Sequence, residues 1–191
     1  MRIVAGRFRG RILKAPAGET TRPTSDRVRE AVFSSVASCA GSDLGGGAVL
    51  DAFAGSGALG LEALSRGCSL AVFAEQDRGA LTALASNIES LGAAGSSRVL
   101  VGDVFEAAGR GSVPGGPFAL LLLDPPYRLD PAKVAGLTSD LAENDLLVDG
   151  AIIVWEHASG SEPPWPDGFG RVKRKRYGTT EVDIAVYERG A

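Results

Sequence analysis

The chain is poor in the residues that metal and nucleophile chemistry uses. Its 191 residues contain one histidine, His157, and two cysteines, Cys39 and Cys68, far apart in sequence. That set offers no metal-ligand spacing and leaves a Ser-His triad or a thiol relay without partners. Long apolar runs are missing too. The longest, Phe118 to Leu123, is far below the ~20 residues of a membrane helix. Arg2, Arg7, Arg9 and Arg11 interrupt any apolar stretch a signal peptide would need. These absences predict a cytoplasmic protein with no membrane partner and no metal. The rest is ordinary: 45% hydrophobic and 23% charged residues, close to the soluble globular average. The length suits one self-sufficient domain, expected to be monomeric.

The net charge of −3 conceals an asymmetry. Residues 1–29 carry eight of the twenty Lys and Arg against Glu19 and Asp26, a local charge of +6, which leaves −9 for everything after them. A second basic run, Arg171, Lys173, Arg174, Lys175 and Arg176, lies near the C-terminus. Two such concentrations on an acidic chain are the footprint expected of phosphate-backbone contacts. A solvated surface is the plainer reading of either run alone.

Short β-like stretches at Ile3-Val4 and Ile12-Leu13, separated by Gly6 and Gly10, predict a small β-arm with charged, exposed edges. A helix follows from Thr24-Ser25-Asp26 to near Cys39–Gly41, its apolar residues Val28, Ala31, Val32 and Val36 in helical spacing. Gly-rich Ser42 to Gly47 reads as a linker. The division expected is therefore residues 1–41, a basic arm and helix, and residues 42–191, the body. In the body, strands at Ala48–Phe53, Leu70–Ala74, Val99–Val101, Phe118–Leu123 and Ala151–Trp155 alternate with helices at Leu59–Arg66, Arg78–Leu91, near Phe105 and at Pro131–Ala142. That alternation predicts an α/β, Rossmann-like, largely parallel sheet. Val172–Tyr177 and Glu181–Glu188 flank a Gly-Thr-Thr turn, so the sheet should finish as an antiparallel hairpin.

Directly after the first body strand, Gly55, Gly57 and Gly60 satisfy GxGxxG ahead of a helix, the arrangement that brings backbone N–H groups close to a nucleotide. Glu75 ends the next strand twenty residues after Gly55, where a carboxylate can accept ribose hydroxyls. NAD and S-adenosylmethionine fit that feature equally. Asp51, just before the glycines, would crowd a pyrophosphate but can pair with a methionine ammonium, which favours the sulfonium cofactor. Asp103 places a third acid at a third strand end, near where adenine would lie.

The apolar strand ends in Asp124-Pro125-Pro126-Tyr127. Two prolines fix φ and donate no N–H, so this corner presents acceptors only: the Asp124 carboxylate and a proline carbonyl. Such a corner receives an amino group. A ring-conjugated amine is a poor nucleophile until its hydrogens are held so that the lone pair leaves the ring, and the same acceptors stabilise the positive charge of methyl transfer. Tyr127 offers the base a flat surface to stack on.

The segments MRIVAGRFRGRILKAP, TRPTSDRVREAVFSSV, LDAFAGSGALGLEALSRG, LLLLDPPY and YGTTEVDIAVYER together resemble the RsmD-type bacterial methyltransferases over nearly the whole chain. The resemblance implies a seven-stranded methyltransferase fold, S-adenosylmethionine as donor, and methylation of a guanine N2 in 16S rRNA of the small ribosomal subunit or its assembly intermediate. It also implies cofactor contacts from Asp51, Phe53, Ala54, Gly55, Ser56 and Gly57, with Glu75 toward the ribose and Asp103 and Val104 toward the adenine. Asp124, Pro125, Pro126 and Tyr127 become the catalytic tetrapeptide. Arg7, Arg9, Arg11, Arg22, Thr24, Arg27 and Arg29 become the RNA-facing set, so the resemblance makes residues 1–41 the RNA-facing part. Ala119 departs from the family pattern, which has an acid there, and residues 157–170 match nothing in it; His157 reads as a partly exposed strand-end residue and Trp165 as a loop cover. A DNA adenine-N6 methyltransferase shares the tetrapeptide, but no separate target-recognition domain is evident. An NAD-dependent oxidoreductase would need a proton relay that is missing, and a non-catalytic RNA-binding module would leave the tetrapeptide unexplained.

Overall fold

Alternating apolar strands and capped helices decide the architecture. The computed structural model describes residues 1–16, 26–39 and 46–190. Helix α1 (Asp26–Cys39) precedes β1 (Ala48–Asp51), α2 (Ala58–Ser65), β2 (Leu70–Glu75), α3 (Arg78–Leu91), β3 (Ser97–Val101) and α4 (Val104–Gly109). The second half follows as β4 (Phe118–Leu123), α5 (Pro131–Glu143), β5 (Leu147–Ala158), β6 (Phe169–Tyr177) and β7 (Thr180–Tyr187). The seven strands lie in the order β3-β2-β1-β4-β5-β7-β6. The first five are parallel, and β7 runs antiparallel between β5 and β6. Among the described residues, no helix is long and apolar enough to cross a membrane.

Each face of the sheet buries its own apolar cluster. Val49, Phe73, Leu120, Leu122 and Val154 pack with Phe33 of α1, Leu61 of α2 and Leu84 of α3. Leu50, Val72, Leu121, Leu123 and Trp155 pack with Ala107 of α4 and Leu137 of α5. Burial on both faces explains why the central strands β2 and β4 read as unbroken apolar runs, whereas the edge strand β3 is largely exposed. Local chemistry starts the helices: the Asp77 side chain accepts from the Ala80 N–H, and Asp130 accepts from Ala132 with Pro131 at the first helical position. Gly60 lets α2 approach the sheet, since a Cβ there would lie 2.4 Å from Phe73 Cε1.

The N-terminal arm keeps its charged edges exposed, as expected, but is anchored to the body more firmly than its sequence indicates. A bridge pairs Arg2 with Ile12, as a hairpin-like arm requires, but Ile3 and Leu13 are buried within the first cluster. The buried Glu62 carboxylate accepts the Val4 and Ala5 N–H groups at 2.8 and 3.0 Å, and Ser65 Oγ accepts from Phe8 at 2.9 Å. Gly6, at φ 79°, lies so close to the Ser65 carbonyl that a Cβ would be 1.8 Å from its oxygen. The arm thus shares one core with the body through Ile3 and Leu13, while its arginine side chains and Ile12 remain outside. The expected boundary at 41/42 and most of the Gly-rich linker lie outside the described residues.

Strand β5 is longer than its hydropathy indicates, because its polar end, Glu156-His157-Ala158, is held by pairing with Val182, Glu181 and Thr180 of β7. Likewise β6 starts at Phe169, and its charged sequence forms a strand because β7 supplies the ladder.

Candidate active site

The sheet order reverses between β1 and β4, which opens a crevice at their C-terminal ends. Register puts four carboxylates around it on one face. Asp51 pairs with Phe73 of β2 and Leu122 of β4. Glu75 and Asp124 each lie two residues beyond those partners, so both project to the same side as Asp51, one step further out. Trp155 pairs with Leu123, which brings the next residue, Glu156, abreast of Asp124.

Asp51 is 1% exposed. Its Oδ2 accepts from the Gly60 N–H at 2.9 Å, while buried Oδ1 has no hydrogen-bond partner. Burial pushes this carboxyl up to about 7; the Gly60 N–H opposes the shift and the Glu75 charge adds to it. The Glu75 carboxylate organises the glycine loop: Oε2 accepts from Gly55 at 2.7 Å, and Oε1 accepts from Gln76 and Asp77, each at 2.8 Å. Gly55 and Gly57 adopt φ of 52° and 83°. A Cβ on Gly57 would also meet Leu84 Cδ1 at 2.5 Å. The buried Ser56 accepts the Asn87 side-chain N–H on its carbonyl, pinning the loop to α3. Phe53, an expected cofactor contact, meets Phe105 at 6.0 Å between ring centroids, and Phe105 is the half of this aromatic wall that the sequence did not single out. Asp103 accepts from the Phe105 N–H at 2.8 Å and caps α4, which holds Asp103 and the buried Val104 at the third strand end. Ala54 is buried beside these groups.

At the other side of the crevice, Asp124 is held well above the usual carboxylate range by burial, by the Glu156 charge and by Asp51. Pro125 is buried and Pro126 exposed. The Pro126 carbonyl already accepts from Leu129, so Pro125 is the proline whose carbonyl can serve a ligand. Tyr127 is 56% exposed, and its hydroxyl shares a 2.7 Å hydrogen bond with Thr180 Oγ1. A cavity beside this tetrapeptide is lined by Pro125, Tyr127, Trp155, Glu156 and His157. Glu156 is the residue sequence reasoning missed; only the β4–β5 pairing reveals it.

Several expectations are corrected here. Arg29 is fully buried: it pairs with Asp26 at 2.7 Å and Glu62 at 3.6 Å and donates to the Arg2 carbonyl, so it braces the arm and does not face RNA. Arg7, Arg9, Arg11 and Arg27 are exposed. Arg22 and Thr24 lie outside the described residues. The C-terminal basic run is partly neutralised. Arg174 donates to both oxygens of buried Asp183 at 2.6 and 2.7 Å, and Arg171 and Arg174 each reach Glu162 at 2.5 Å. His157 is buried rather than partly exposed, sharing a 2.8 Å hydrogen bond with Ser161. Trp165 packs edge-on against Trp155 at 5.3 Å, the covering role expected of it.

Residues 1–186 match the family model described as "Conserved hypothetical protein 95". The chain is 37% identical to YlbH of Bacillus subtilis over 190 residues, covering 99% of each chain. It is 35% identical to Ribosomal RNA small subunit methyltransferase D of Escherichia coli over 196 residues, covering 100% of this chain and 91% of that one. The solved structure of yhhF from Escherichia coli superposes with a TM-score of 0.82 at 33% identity, covering 99% and 98% of the two chains. The crevice of the present chain suits the methyl donor of such enzymes: the buried Asp51 Oδ1 has no protein partner and fits a cation, beside a positive-φ glycine loop and an acid at each neighbouring strand end. The chain belongs to the RsmD-type family of S-adenosylmethionine-dependent ribosomal RNA methyltransferases.

Proposed function

We propose that the protein methylates the exocyclic N2 of a guanine in 16S rRNA, presented by the small ribosomal subunit or an assembly intermediate. The observation that carries this reading is the position of Asp124. It lies one step beyond Asp51 across the switch point, followed by two prolines that donate no N–H, so an amino group held there faces the cofactor loop. When bound, S-adenosylmethionine would supply a methyl group on a positively charged sulfur, the S–CH3 bond breaking as the N2–CH3 bond forms. The methylated amino cation then releases one of its N2 protons to water, without need of a strong base.

The residues divide the remaining work. Asp51 Oδ1 accepts the methionine ammonium, the Gly55–Gly57 backbone with Phe53, Ala54 and Ser56 walls the methionine end, Glu75 takes the ribose hydroxyls on its remaining acceptor capacity, and Asp103 with Val104 borders the adenine. Asp124 and the Pro125 carbonyl accept the two N2 hydrogens, Pro126 stiffens the turn, and Tyr127 stacks on the base. Fixing the amine in line with the methyl group supplies much of the rate, and acceptors preset for a developing cation supply the rest. Exposed Arg7, Arg9, Arg11 and Arg27 contact RNA phosphates, with Arg22 and Thr24 of the adjoining segment in the same role.

The test is transfer of labelled methyl to small subunits, free 16S rRNA and duplex DNA in parallel, followed by nucleoside analysis. N2-methylguanosine from RNA or subunits is expected. N6-methyladenine in DNA, or no label in any substrate, overturns the proposal.

A further inference from the structure

Guanine offers three adjacent N–H groups on its Watson–Crick edge, the N1–H and the two N2 hydrogens, whereas adenine and cytosine place an acceptor beside their amino group. A surface made only of acceptors therefore suits guanine alone, provided that it extends one hydrogen-bond step past the amino site. The wall beside Asp124 has that extension. Glu156 stands abreast of Asp124 on the adjacent parallel strand and on the same face, because Trp155 pairs with Leu123. It lines the same cavity as Pro125 and Tyr127, the groups that would hold and stack the base. The two carboxyls are close enough for the Glu156 charge to push Asp124 upward. Buried Trp155 and His157, fixed between β4 and β7, hold the strand end that carries Glu156.

We propose that Glu156 is the base-specificity residue, its carboxylate accepting the guanine N1–H while Asp124 and the Pro125 carbonyl accept the N2 hydrogens. This assignment rests on the guanine-N2 reading. Methyl transfer needs only the N2 hydrogens held; Glu156 decides which base can enter. Adenine or cytosine in the same place would turn a ring-nitrogen lone pair toward the Glu156 carboxylate, and a polar mismatch of that kind in a site built for hydrogen bonding discriminates strongly.

The test uses small-subunit RNA in which the methylated guanine, once mapped, is replaced by 2-aminopurine. That base keeps the N2 amino group but carries a lone pair at N1. Wild-type enzyme should prefer guanine over 2-aminopurine by about 100-fold or more in kcat/KM. Glu156→Gln, whose amide can donate to the N1 lone pair, should shrink that preference at least tenfold. The preference is a ratio within one enzyme preparation, so a reduced folded fraction does not disturb it. Equal wild-type activity on both bases, or an unchanged preference in the variant, overturns the Glu156 assignment and leaves the guanine-N2 reading standing. A wild-type product on native RNA other than N2-methylguanosine overturns both.

Discussion

The Tyr127 hydroxyl and Thr180 Oγ1 share a 2.7 Å hydrogen bond that ties the loop after β4 to the start of β7. The ring is otherwise largely exposed, so this bond is what fixes it where it lines the cavity beside the tetrapeptide. A net hydrogen bond is worth about 0.5–1.5 kcal/mol. Thr180→Val should therefore lower kcat/KM for RNA by about 2–10-fold, mainly through KM, while Thr180→Ser keeps wild-type values. Steady-state kinetics on the three proteins checks this; identical kinetics for the valine variant would contradict it.

Asp51 sets a conflict between stability and binding. Its folded-state value is raised from 3.8 to about 7, so the folded chain holds a proton that the unfolded chain releases. Stability of the cofactor-free protein accordingly falls as pH rises from near 4 to about 7, by up to about 4 kcal/mol. Asp51→Asn removes that penalty while still able to accept from Gly60. The variant should unfold at higher denaturant concentration than wild type at pH 8, and bind S-adenosylmethionine at least tenfold more weakly. In the wild type, cofactor affinity should rise with pH through about 7. Denaturation and calorimetry across pH check both halves.

Arg174 and Asp183 carry the C-terminal basic run into the fold. Burial pushes Asp183 up, but the two hydrogen bonds from Arg174, with His157 adding to them, outweigh it and hold the carboxyl below the usual carboxylate range. A depressed acid contributes stability that is present above about pH 4 and fades as pH falls further. Arg174→Ala leaves Asp183 buried without its bidentate partner. It should cost about 3–5 kcal/mol near neutral pH, and the deficit should shrink on acidification. RNA affinity of the folded fraction should keep its salt dependence. A changed salt slope would return Arg174 to the RNA-binding surface.

The arm makes the opposite prediction. Its backbone is held by Glu62 and Ser65, while the Arg7, Arg9 and Arg11 side chains are exposed. Replacing all three with Glu should leave the unfolding midpoint nearly unchanged, weaken RNA binding at least tenfold and flatten the log Kd against log salt slope by about 2–3 units. Binding measured at several salt concentrations, beside thermal unfolding, separates the arm from the core.

Much of this was legible in the chain itself, for a physical reason. Parallel strands buried on both faces and helices opened by Asp77, Asp103 and Asp130 leave local signals, so β4 and α3 match their expected spans to the residue. The glycine loop and the tetrapeptide are local as well. What escaped was long-range. Arg29 reads as one more positive charge until Glu62 and Asp26 are folded around it, and Arg174 until Asp183 is. Glu156 looks like an ordinary polar strand end until β5 docks beside β4. Burial of His157 depends on β7, and the length of β5 on the same pairing.

The most direct measurement of the central claim is methyl transfer to small-subunit RNA by Asp124→Ala, with cofactor affinity determined by calorimetry on the same protein. If Asp124 holds the amino group and shields its developing charge, turnover falls by about 10²–10⁴-fold while the S-adenosylmethionine Kd stays within about threefold of wild type. Turnover close to wild type at saturating cofactor, with affinity lost instead, would place Asp124 on the donor side and contradict the account.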